Sequence, residues 1–141
     1  MLRFFALQDD LASYEGRLSR FLDVYMRTNA KISEAKIKKL RNLFNATLAI
    51  CMQVFGDSVF ADTTKDKPRQ SIVHYDLLMS SMAAKRKADV TGKEEKIRKA
   101  FEKLCKNGDF QRTLSGGIQN KASILKRREL WARLVNPILG S

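Results

Sequence analysis

Hydrophobic side chains recur along this chain at intervals of three and four residues, the period of an α-helix and not the alternation of a strand. Leu11, Tyr14, Leu18, Phe21, Leu22 and Tyr25 keep that spacing, with Arg17, Arg20 and Asp23 between them. Asp9 or Asp10 supplies a cap, and Gly16 weakens the helix by about 1 kcal/mol relative to alanine. A second stripe is clearer: Ser33 caps it, Glu34 suits its positive start, and Ile37, Leu40, Phe44, Leu48, Cys51 and Phe55 run down one side. Leu43, Ile50 and Val54 broaden that stripe, so its second half is expected to be buried on most sides before Gly56 stops the helix. Residues 57–70 lose the period in a polar, lysine-bearing run with Pro68, and read as a loop.

Beyond the loop, Ser71 caps a third helix whose Ile72, Val73, Tyr75, Leu77, Leu78, Met79 and Met82 are apolar nearly all round, the pattern of a central helix. Thr91-Gly92-Lys93-Glu94 has the spacing of a capping box, and Ile97, Phe101, Leu104 and Cys105 then face inward until Asn107-Gly108. A short helical turn around Phe110–Leu114 precedes Ser115-Gly116-Gly117. A last helix over about 121–135 is expected to bury Ile124, Leu125, Trp131, Leu134 and Val135 and to stop before Pro137. The pattern predicts an all-α fold: a single-domain bundle of about five helices over residues 1–139, with a Pro/Lys-rich loop near 57–70. Gly140-Ser141 is set aside as a cloning remnant.

Charge adds a partner to this picture. The 141 residues carry a net charge of +12, and 15 Lys/Arg against 6 Asp/Glu lie from Lys85 onward. So basic a domain is drawn to polyanions, nucleic acid first, although a lysine-rich solvated surface has the same composition. No basic face is paired with an apolar face lacking other partners, and no apolar run approaches 18 residues, so a membrane partner is not expected. Cys51 and Cys105 lie on apolar stripes and read as core thiols of a reducing compartment. The first residues are too short an apolar stretch for a secretory signal, and a cytoplasmic location is expected.

Catalytic chemistry is thin. His74 is the one histidine, and within His74-Tyr75-Asp76 it reads better as a hydrogen-bonded, half-buried side chain than as an acid–base group. There is no Gly-Lys-Ser/Thr phosphate loop and no dinucleotide fingerprint, and the scattered acids suit no magnesium pair. No metal or cofactor is expected, and the chain alone is not expected to be an enzyme. The candidate site is instead the Ser115-Gly116-Gly117 turn with the helix after it. Main-chain amides near Gly116 and Gly117, with Lys121, Lys126, Arg127, Arg128 and Arg133, are suited to hold phosphate. Lys96, Lys99, Lys103 and Lys106 form a secondary basic patch, equally readable as a solvated helix face.

The order of motifs resembles one family. Leu2-Arg3-Phe4-Phe5-Ala6-Leu7 precedes Phe21-Leu22-Asp23-Val24-Tyr25-Met26. Val54-Phe55-Gly56-Asp57 with Phe60 follows, then Tyr75-Asp76-Leu77-Leu78-Met79, and then Phe110 with Leu114-Ser115-Gly116-Gly117 and Asn120-Lys121. This resembles the C-terminal helical region of GmrSD-type restriction proteins, whose N-terminal half is a ParB/sulfiredoxin-like domain. That half carries an Asp-Gly-Gln-Gln-Arg motif linked to nucleotide hydrolysis, and many members add an HNH nuclease domain. Neither motif occurs here, so no catalytic residue carries over. The resemblance implies the C-terminal half of a larger architecture that serves in restriction or phage defence. Its expected partners are DNA, held by its backbone with little base specificity, and an N-terminal ParB-like domain or partner subunit. A rival expectation makes the chain a scaffold that docks that missing domain through Leu2, Phe4, Phe5 and Leu7 without binding DNA.

Overall fold

The computed structural model describes residues 2–140. These form eight α-helices: α1 (Leu2–Asp10), α2 (Leu18–Thr28), α3 (Glu34–Phe55), α4 (Ile72–Met82), α5 (Lys87–Val90), α6 (Glu94–Cys105), α7 (Gly108–Arg112) and α8 (Lys121–Leu139). No strand occurs among the described residues, only an isolated antiparallel bridge from Ala61 to Gln70 that pinches the loop between α3 and α4. The all-α expectation holds, but the helices number eight, and not about five.

Four long helices enclose the core. Ile50, Cys51 and Val54 of α3 meet Leu77, Leu78, Met79 and Met82 of α4, Ile97, Phe101 and Leu104 of α6, and Leu130, Trp131 and Val135 of α8. The nearly continuous apolar surface of α4 follows from this position, because it packs on α1, α3 and α8. Trp131 is 1% exposed, and its indole N–H donates to Ser81 Oγ across the α4–α8 contact at 3.0 Å.

Three predicted caps and stops stand, but neither Asp9 nor Asp10 caps the first-stripe helix: both lie in α1, and Arg17 precedes α2. Ser33 Oγ accepts from the Lys36 amide, Ser71 Oγ accepts from the Val73 amide, and Gly56 ends α3 with φ +56. The differences have local causes. The first stripe keeps only its second half as an α-helix, α2: Leu11–Ser13 form a short 3-10 turn, and Gly16, at φ +91, lies in the connection where only a weakening within a helix was expected. Leu11 and Tyr14 thus belong to the connection, and residues 2–10, unassigned from the sequence, are helical. Thr91 does not cap α6: its hydroxyl donates to the Lys87 carbonyl and closes α5, while Lys93 precedes α6. Asn107 does not merely end α6; its Oδ1 accepts from the Phe110 amide and starts α7. At the far end α8 runs through Pro137. The missing N–H would have met the carbonyl of exposed Arg133, where solvent can satisfy it.

Candidate nucleic-acid interface

The expected phosphate site on α8 comes apart when each cation is followed to its partner. Arg127 is only 4% exposed, and its Nη1 and Nη2 donate to the carbonyls of Thr113 at 3.1 Å and Ile118 at 2.7 Å. Its guanidinium therefore ties α8 to the segment that leads into it and does not face phosphate. Burial draws its pKa down. Leu125, expected to face inward, is instead 46% exposed, while Arg127 and Leu130 face in.

Lys121 is also engaged, because its Nζ donates to the Ala12 carbonyl at 2.9 Å and pins the α1–α2 connection to the start of α8. Arg128 is half-buried and lines a cleft of about 370 Å³ between α4 and α8 with Ser81, Trp131 and Asn136; burial lowers its pKa. Lys126 and Arg133 do reach the surface, but they share Glu129: Lys126 Nζ lies 3.9 Å from its carboxylate, and Arg133 pairs with the same group. Gly116 and Gly117 are exposed with φ +58 and +59, so both need glycine to make the turn. They do not open directly onto the helix, since a further turn closed by the Asn120 amide on the Gly117 carbonyl intervenes.

The secondary patch survives better. Lys96, Lys99, Lys103 and Lys106 are all exposed on one side of α6. Their spacing of three, four and three residues sets them along about 15 Å of helix at 1.5 Å per residue. Lys99 pairs with Glu95 at 3.3 Å; among the described residues Lys96, Lys103 and Lys106 make no ion pair. Glu95 and Glu102 flank the stripe. At its end, α7 brings the Arg112–Asp109 pair beside it, and Asp109 is held below the usual carboxylate range by its bond to Arg112, then by Lys126 and Arg133. Lys126 and Arg133 thus border the same region.

The apolar strip expected to dock a partner is largely inside the protein. Phe4, Phe5 and Leu7 are 4%, 8% and 3% exposed, with Phe4 and Phe5 packed edge-on against Phe44 of α3. Leu2 alone of the four keeps partial exposure. Sequence reasoning passed over what holds α1 down: Arg3 bonds Asp76 and Gln119, and the Tyr14 hydroxyl donates to the Gln119 carbonyl at 2.5 Å. No local pattern signals partners so far apart in the chain.

His74 departs from its expected state. It is 5% exposed, stacked at 6.0 Å on Phe110 and edge-on to Phe101, and neither ring nitrogen has a hydrogen-bond partner. Burial lowers its pKa. The Asp62 carboxylate and Phe60 carbonyl favour a proton on the ring, though neither meets it in hydrogen-bonding geometry. Asp62 is itself buried. Desolvation pushes its pKa up, but bonds from the Thr64 hydroxyl and amide outweigh this and leave it below the usual value. Burial first, and then Asp62, push the Cys105 thiol up to about 12, and burial takes Cys51 to about 12, so both stay protonated and unreactive at neutral pH. Among the described residues no group of acids, histidine and cysteines could hold a metal ion, and no helix is long and apolar enough to cross a membrane. Comparison with family models, with curated proteins and with solved structures finds no match to this chain.

Proposed function

We propose that this chain is a non-catalytic helical module that holds the phosphate backbone of DNA through the lysine face of α6. Lys96, Lys103 and Lys106 are the principal contacts, and Lys126 and Arg133 are their neighbours at the α7–α8 end. On the resemblance drawn from the sequence, the contact would serve a restriction or phage-defence protein. The observation that carries the reading is the row of exposed lysines on one helix face, three of them without an acidic partner among the described residues. Ammonium groups on flexible stems meet phosphate as point charges and read no base edge, so little sequence preference is expected.

The test is a titration of fluorescent duplex DNA at several salt concentrations. Three phosphate contacts give log affinity a slope of about −2.7 against log salt, at about 0.9 per phosphate. Lys96/Lys103/Lys106→Gln removes most of that slope and weakens unrelated duplexes equally. An unchanged slope in this variant would take DNA off α6 and leave its lysines as solvation.

A further inference from the structure

The amphipathic helix α2 buries none of its residues, although Leu18, Phe21, Leu22 and Tyr25 give it a strong apolar side. It leans mainly on α1 and leaves a groove of about 340 Å³ between α1, α2 and the start of α3. The floor is apolar: Leu2, Phe5, Met26, Ile32, Ile37 and Leu40. Met26 is 55% exposed and Ile37 is 41% exposed, large values for side chains of this kind clustered at one place.

The surroundings of this groove are cationic. Arg41 lines it, and Lys36 and Lys39 stand beside Leu40 at its edge. Between Arg17 and Arg41 the chain carries eight Lys/Arg, with only Asp23 and Glu34 against them. None of the eight makes an ion pair among the described residues. The Asp9 carboxylate stands at the same edge and accepts from the Tyr25 hydroxyl at 2.6 Å; its single negative charge leaves Lys36, Lys39 and Arg41 in excess there.

We infer that this groove receives an acidic amphipathic helix of a partner protein. Apolar anchors at helical spacing would fill the floor, and flanking carboxylates would meet Arg41, Lys36 and Lys39. Charge decides among occupants. A second copy of this chain, at net charge +12, brings like charge to like. Nucleic acid would set phosphates over a floor of aliphatic side chains. A bilayer is flat, whereas this floor is concave. The inference is independent of the DNA reading, because it uses α1, α2 and α3 and none of the α6 lysines.

The experiment titrates the full chain with a labelled synthetic helical peptide bearing leucine at i, i+4 and i+7 and glutamate on its other faces. A second peptide has the same composition with the leucines scattered round the helix. The expected result is saturable binding at least tenfold tighter for the patterned peptide. Ile37→Glu and, separately, Met26→Glu should weaken it at least tenfold, while unfolding temperature and duplex-DNA affinity stay as they were. Equal binding of both peptides would show charge attraction alone and overturn the inference, as would no binding of either. Capture of phosphatidylserine vesicles that Ile37→Glu abolishes would assign the groove to lipid. Dimers in sedimentation that Ile37→Glu dissolves would assign it to a second copy. Either result overturns the proposed partner.

Discussion

Arg3 and Asp76 form the best-enclosed ion pair among the described residues: Nη2 lies 2.6 Å from Oδ2, and the two side chains keep 17% and 15% of their exposure. Nε donates to Oδ1 at 2.7 Å, so the fork closes on both carboxylate oxygens and locks α1 against α4. Removing one partner strands the other in a poorly hydrated place. Arg3→Ala or Asp76→Ala should each cost about 2–3 kcal/mol. The joint Arg3→Ala/Asp76→Ala change should cost less than the sum of the single losses, because no lone charge remains. Urea unfolding of the four proteins checks this, and strict additivity would show the pair to be uncoupled.

Arg127 carries the sharpest contrast between charge as surface and charge as structure. Its guanidinium satisfies the Thr113 and Ile118 carbonyls from inside the protein. Arg127→Leu leaves both acceptors without that donor and should lower stability by about 1–3 kcal/mol. Lysine can reach one of them at most and should recover part of the loss. In either variant the salt dependence of DNA binding should match that of the parent protein when both are measured at a temperature where both are folded. A shallower slope would mean that this arginine meets phosphate after all.

Local signals were legible at three helix ends, though not at Thr91, whose hydroxyl closes α5 on the Lys87 carbonyl instead of capping α6. Ser33, Ser71 and Gly56 mark helix ends through bonds and φ angles that involve near neighbours only, and each stands where periodicity put it. The sequence misled where a local preference met a tertiary demand. Gly16 lies in a connection and not within a helix, and in that connection Tyr14, 2% exposed, bonds Gln119 instead of continuing the stripe. The cations of α8 looked alike in sequence. Their fates divide according to which faces met the core and which carbonyls lay within reach, and nothing in the order of residues encodes that. The α6 lysines read correctly as one face because helix period alone places them. The α2–α3 groove was invisible for the opposite reason: its floor draws on three helices, and its unpaired cations were masked by acids elsewhere in the first half.

His74 makes stability depend on pH. Its folded-state pKa lies below the usual value, so the unfolded chain takes up the proton more readily. Stability from this group is therefore fully present above the unfolded pKa of about 6.5 and is lost as pH falls below it toward the folded pKa. Because there is no second histidine, thermal melts between pH 7.5 and pH 5 isolate the effect. The melting temperature should drop on acidification. In His74→Phe, which keeps a ring between Phe101 and Phe110, most of that drop should vanish. An equal drop in both proteins would place the titration elsewhere.

Glu129 restrains the cations nearest the proposed DNA face, since Lys126 and Arg133 both turn to it. Exposed pairs of this kind are weak, so Glu129→Gln should leave stability within about 0.5 kcal/mol. Its effect belongs to binding. With the carboxylate neutralised, both cations are free to meet phosphate, and one source of repulsion toward the DNA disappears. A single exposed charge contact is worth about 0.2–1 kcal/mol, so affinity for duplex DNA at low salt should rise by up to about fivefold, with a steeper salt slope. The gain should survive in the Lys96/Lys103/Lys106→Gln background if Lys126 and Arg133 touch the backbone directly. If it disappears there, the α6 lysines alone hold the DNA, and Glu129 acts on them only through its field.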